Sequence, residues 1–135
     1  MDTIRLGKTN IVTNKNGFGA LPIQRVTDEE AVALLQRAYE GGMRYFDTRS
    51  DAAYLLRKAL DGGITYFDTP RGYTDSEEKI GYAFDGIARD KYFLASKTTA
   101  LETKTFWENL ETSLHLLRTD YIDVYQFHNP PQLFR

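Results

Sequence analysis

The chain has no cysteine. That excludes disulfides, thiolate metal sites and cysteine nucleophiles. Its two histidines, His115 and His128, are too few to suggest a metal centre, and none is expected. No apolar run approaches the roughly 20 residues of a membrane span, and the first residues, MDTIRLGKTN, lack the apolar core of a secretory leader. Charge of one sign is also missing. Lys and Arg number 17 against 19 Asp and Glu, for a net charge of −2. Such a balance offers no bulk attraction to nucleic acid or to a membrane surface, so neither is expected as a partner. There is no N-x-S/T acceptor and no low-complexity tract. These absences predict a soluble, cytoplasmic protein.

What the chain does have is a tandem repeat. Residues 31–48 (AVALLQRAYEGGMRYFDT) return without a gap as residues 52–69. Leu34/Leu55, Leu35/Leu56, Gly41/Gly62, Gly42/Gly63, Tyr45/Tyr66, Phe46/Phe67 and Asp47/Asp68 are identical pairs. The repeated unit is one helix followed by one strand. Joining Thr48 to Pro70 would leave a continuous sequence, so one copy reads as an insertion.

Around the repeat, β-prone runs at Thr3–Leu6 and Asn10–Thr13 flank Gly7 and predict an N-terminal hairpin within residues 1–15. Residues 16–22 read as a short strand entering a loop. Thr27 and Glu30 form a capping box, followed by Ala31, Leu34, Leu35 and Ala38 at helical spacing. Gly41-Gly42 stops that helix and residues 43–48 form a strand. Ser50 or Asp51 caps the second copy's helix, and residues 64–69 form its strand. Further helices are predicted over Asp75–Ala88 and Thr103–Leu117, and strands over Tyr92–Thr98 and Tyr121–His128. Residues 1–135 thus read as a single α/β domain: five parallel strands alternating with four helices after the hairpin.

In such folds the site lies at the C-terminal ends of the strands. Asp68, Lys97 and His128 each end a predicted strand, and Tyr73 follows Asp68 in the loop PRGYTD. Alternation places Tyr66 with Asp68, Ala95 with Lys97, and Gln126 with His128 on shared faces, which converge if the strands are neighbours. The residue types suit proton donation. A phenol with an ordinary pKa near 10 must be acidified to donate near neutrality, which takes roughly 4 kcal/mol of differential interaction. An adjacent ammonium favours the phenolate, a carboxylate keeps that ammonium charged and aimed, and a neutral histidine orients a carbonyl oxygen. Asp47 reads as a cap of the loop that follows it. The first copy has Ala52 where the second has Tyr73, so it carries no second site. Gly17-x-Gly19 is no dinucleotide fingerprint, because Pro22 stands at the third glycine. The aromatics, Trp107 among them, fall at core spacing.

RLGKT at 5–9, GFGA at 17–20, FDTPRGYTDSEEKIG at 67–81, LASKT at 94–98 and LETSLHLLRTDYIDVYQFHN at 110–129 resemble the aldo-keto reductases. GALPIQR at 19–25 and RGYTDSEEKIG at 71–81 are most similar to the bacterial branch that often carries an iron–sulfur C-terminal extension. The resemblance implies a TIM barrel reducing aldehydes and ketones with NADPH, and matches Asp68, Tyr73, Lys97 and His128 to the family's catalytic tetrad. Tyr73 would be the general acid, Lys97 and Asp68 would tune it, and His128 would orient the carbonyl. No cofactor-binding residue is assigned, and no iron–sulfur cluster is expected without cysteine.

The resemblance covers the N-terminal half of the family's barrel, and its main cofactor anchors belong to the other half. The expectation is therefore a half-barrel derivative, inactive alone, kept as a scaffold or an engineered or duplicated fragment. The alternative is an active carbonyl reductase whose barrel a second chain completes. Open edges and an exposed inner face favour a homodimer. The sheet is expected either as a partial TIM barrel or as a flattened, flavodoxin-like three-layer sheet.

Overall fold

The computed structural model describes residues 2–19, 25–47, 53–72 and 75–129. Strands β1 (Thr3–Arg5) and β2 (Val12–Asn14) pair antiparallel, with Thr3 opposite Asn14 and Arg5 opposite Val12. Five further strands form one parallel sheet: β3 (Phe18–Gly19), β4 (Tyr45–Asp47), β5 (Tyr66–Asp68), β6 (Phe93–Thr98) and β7 (Val124–Phe127). The helices are α1 (Asp28–Glu40), α2 (Ala53–Asp61), α3 (Ser76–Ala83) and α4 (Thr103–Leu117). None of the described helices is long and apolar enough to cross a membrane.

The strand order is β3-β4-β5-β6-β7, the order of the chain. A doubly wound sheet reverses direction partway, and its helices divide between two faces. Here α1 packs on α2, α2 on α3 and α3 on α4, all along one face. This is the arrangement of a partial barrel. The repeat accounts for its extra strand. β4 lies between β3 and β5, with each residue opposite its own copy: Tyr45 against Tyr66, Phe46 against Phe67, Asp47 against Asp68.

Local chemistry explains the elements. Thr27 and Glu30 make the reciprocal capping box at α1, and Ala31 and Leu35 bury its inner stripe. Gly42 and Gly63 take φ of 92° and 97° at the same place in the two copies, a region that favours glycine. The α2 cap expected at Ser50 or Asp51 lies outside the described residues. Helix α3 is shorter than residues 75–88. It stops because Phe84 turns into the core between the rings of Phe67 and Tyr92, at 4.8 and 4.5 Å, and Gly86 follows in the left-handed region.

Phe46, Phe67 and Leu94 point outward into a core shared with Leu35, Leu56 and Ile80 of the helices. Tyr66 and Ala95 point inward, where Leu6 and Ile11 of the hairpin cover them. The hairpin thus closes the N-terminal end of the sheet and leaves the C-terminal end open. Packing between α3 and α4 depends on Gly81, where a Cβ would lie 2.2 Å from the Leu116 carbonyl oxygen. Gly81→Ala is expected to lower stability by about 2 kcal/mol by prising the helices apart, read as an earlier urea midpoint.

Candidate active site

At the open end of the sheet, Asp68 ends β5 and is almost fully buried. Its Oδ1 accepts a hydrogen bond from Lys97 Nζ at 2.7 Å, and its Oδ2 accepts one from the Tyr45 hydroxyl at 2.7 Å. Lys97 keeps 15% of its side chain exposed. It stands one residue pair further along the ladder than Asp68, since Asp68 registers with Ala95 and Lys97 with Gln126. His128 follows β7, anchored by its N–H donating to the Thr98 carbonyl at 2.8 Å. Asp68 and Lys97 therefore sit on neighbouring strands and His128 directly follows the next one, the order in which their faces converge. Tyr73 lies outside the described residues.

The segment leading toward Tyr73 is described as far as Gly72, and it is firmly held. Thr69 N–H donates to the Ala95 carbonyl and Arg71 N–H to the Lys97 carbonyl, at 3.0 and 2.9 Å, so the chain keeps tracking β6 beyond β5. The Thr69 and Ser76 hydroxyls meet at 2.7 Å in the interior. Arg71 Nε donates to Asn109 of α4, and its Nη1 lies 3.7 Å from buried Glu77. Glu77 also accepts from the Ser96 hydroxyl. Sequence reasoning set Glu77 in a helix first turn and missed this buried role. The signal was the helical spacing: Ile80 and Phe84 follow Glu77 at i+3 and i+7, while Glu78 has Gly81 and Asp85 there.

Two further residues come from the first copy. Tyr45 supplies the second hydrogen bond to Asp68. Asp47, expected only as a loop cap, is half-buried within electrostatic reach of Lys97, Asp68 and His128. Burial raises its pKa, and Asp68 adds to this, while Lys97 and His128 pull it down. The clue was available: two copies paired in register must set Tyr45 diagonally across from Asp68.

The phenols show the same desolvation. Burial pushes Tyr45, Tyr66 and Tyr92 up; Asp68 adds to the first two, and at Tyr92 Arg89 partly offsets the effect. Each folded value lies above the unfolded value near 10. The folded state then holds protons that the unfolded chain releases, so this stability is intact below about pH 10 and is lost as pH rises beyond it. Urea midpoints are expected to fall between about pH 9 and about pH 11, with a shallower fall in Tyr45→Phe.

The aldo/keto reductase family profile matches residues 48–134, from the second copy onward. The chain belongs to the aldo-keto reductase family. Methylglyoxal reductase DkgA of Salmonella typhimurium is 35% identical over 129 residues, which are 94% of this chain and 38% of that protein. A solved Pseudomonas aeruginosa chain assigned to the aldo-keto reductases superposes with a TM-score of 0.61 at 25% identity, covering 94% of this chain and 46% of that one. The thermostable aldo-keto reductase Tm1743 gives a TM-score of 0.54 at 30% identity, over 100% of this chain and 45% of that one. The chain thus spans less than half the length of these relatives.

Against the family's dinucleotide, the described residues fit unevenly. Lys97, Asp68 and His128 suit the reacting end. The phosphates need a surplus of cations, and among the described residues at the open end Asp47 and Asp68 offset Lys97 and His128. No described cluster there fits the phosphates, and no group of three His, Cys, Asp or Glu that could hold a metal occurs among the described residues.

Proposed function

We propose that this chain carries the proton-delivering side of an NADPH-dependent carbonyl reduction site and, as a 135-residue polypeptide, does not turn over alone. The observation that supports this reading is the buried Asp68–Lys97 pair at the open strand ends. In this reading Tyr73 is the general acid that protonates the carbonyl oxygen. The Lys97 ammonium favours its phenolate and so acidifies it. Asp68 holds that ammonium in place, and His128 hydrogen-bonds the substrate oxygen to fix its direction. NADPH would supply the hydride, and the phosphate site of such barrels generally lies after strands 7–8. The reading of inactivity alone draws on the described residues at the strand ends, where no cluster fits the phosphates. A cytoplasmic setting suits a chain without cysteine.

A second reading is an active reductase whose barrel another chain completes, a second copy included. It draws on the outer edge of β7, the last strand in the sheet, where Phe127 is more than half exposed. The test supplies the C-terminal half of a relative such as DkgA in trans and follows NADPH oxidation with methylglyoxal, the aldehyde in that relative's name. The proton-delivery reading expects turnover that disappears in Tyr73→Phe. Turnover that survives Tyr73→Phe would contradict it.

A further inference from the structure

The repeat does more than lengthen the sheet. Asp68 has two carboxylate oxygens, and the Lys97 ammonium uses one. In a sheet without the inserted unit, β5 would lie against β3 and the Gly17 just before it, so the glycines at this level would be Gly17 and Gly19. Neither carries a side chain that could donate to the other oxygen. The first copy places Tyr45 there.

The Tyr45 ring has little freedom. On one side it lies on the bare backbone of Gly17, where a Cβ would come within 2.9 Å of ring atoms Cδ1 and Cε1. On the other it meets the Tyr66 ring edge-on, with centroids 4.8 Å apart and planes at 73°. A ring held on both sides aims its hydroxyl in a fixed direction, and that direction is Asp68 Oδ2 at 2.7 Å. Hydrogen bonds to an ionised acceptor are the strong ones, so the contact restrains the carboxylate as well as satisfying it.

We infer that Tyr45 is a positioning residue for the second copy's site: by holding Asp68 Oδ2 it keeps Oδ1 on the Lys97 ammonium. The first copy, which has no site of its own, thereby braces the site of its twin. Burial, then the Asp68 charge, raise the Tyr45 pKa, so its hydroxyl remains a donor wherever Asp68 is charged and the protein is folded. The catalytic meaning of this rests on the proton-delivery reading above. The hydrogen-bond relay itself does not.

The test reads Lys97 directly and needs no turnover. The full chain is reductively methylated for short times with formaldehyde and a borohydride, and labelling of each lysine is followed by peptide mass spectrometry. Lys97, clamped by Asp68, is expected among the slowest to react. Tyr45→Phe should speed its labelling severalfold with an unchanged far-ultraviolet circular dichroism spectrum. Gly17→Ala, which crowds the ring but keeps the hydroxyl, should act in the same direction. Tyr54→Phe, an exposed change on α2, should leave the rate alone. Lys97 labelling at the wild-type rate in folded Tyr45→Phe would overturn the inference, and so would an equal acceleration in Tyr54→Phe. If Tyr45→Phe does not fold, the wild-type chain decides. A Tyr45 hydroxyl proton protected from exchange in its NMR spectrum supports the contact, and its absence refutes it. Failure of carbonyl reduction alongside a slow Lys97 would defeat the catalytic reading and leave the relay standing.

Discussion

Asp68→Asn lowers folding stability by about 3 kcal/mol, while Asp47→Asn leaves it unchanged or raises it. The two residues occupy identical YFDT segments and face each other in register. Local sequence therefore predicts the same outcome for both, and the difference comes from their partners. Asp68 is 1% exposed and bonded to both Lys97 and Tyr45. An amide there cannot neutralise the ammonium, and removing one member of a buried pair leaves a charge without compensation, which costs about 3–5 kcal/mol. The partial exposure of Lys97 puts the expectation at the lower end.

Asp47 is half-buried, and the net effect of its surroundings is to raise its pKa above the unfolded value of about 3.9. A carboxyl with a raised folded pKa contributes stability that is present below the unfolded pKa and lost as pH climbs through the folded one. At neutral pH its charge is therefore a burden that asparagine removes. Urea denaturation at about pH 7 and about pH 4 checks both substitutions. Any gain from Asp47→Asn should shrink toward the lower pH. Equal losses at the two positions would show that the copies are equivalent.

Glu77→Ala costs about 3 kcal/mol and loosens the approach to Tyr73. Glu77 is 3% exposed. It takes the Ser96 hydroxyl on one oxygen and faces Arg71 with the other. Without it the fully buried Ser96 hydroxyl loses its acceptor, and the Arg71 guanidinium loses its carboxylate while keeping Asn109. Arg71 is a junction: its backbone is tied to Lys97, and its side chain to Asn109, which in turn donates to Thr98. Freed from Glu77, the segment should open more often. Trypsin cleavage after Arg71 should then become faster than in the wild type, alongside an earlier urea midpoint. Glu77→Gln keeps an acceptor for Ser96 and should cost about 1 kcal/mol. Cleavage and stability unchanged in Glu77→Ala would remove Glu77 from the account.

Much of this was legible in the sequence, because it depends on local rules. Helix α4 spans Thr103–Leu117 as its apolar spacing predicts, and the Thr27 capping box opens α1 where expected. The repeat foretold an extra strand between the first strand and that of Asp68, and alternation gave the faces of Asp68 and Lys97, which converge because β5 and β6 are neighbours. What escaped depends on neighbours distant in the chain. Apolar patterning says that a strand is buried, not which strands flank it, so both a partial barrel and a flattened sheet remained open until the order was known. Phe84 ends α3 early because two core rings, Phe67 and Tyr92, receive its side chain. Trp107, at core spacing, is more than half exposed and touches Phe106 edge-on. The Tyr45 contact needed both the repeat and its register.

The central claim is that proton delivery is assembled in these residues while the grip on the hydride donor is not. Titrating the 135-residue polypeptide with NADPH, followed by the nucleotide's own fluorescence and by aldehyde-dependent oxidation, tests it most directly. The account predicts a cooperatively folded chain with neither saturable binding nor turnover. Saturable binding with turnover that vanishes in Tyr73→Phe would contradict it.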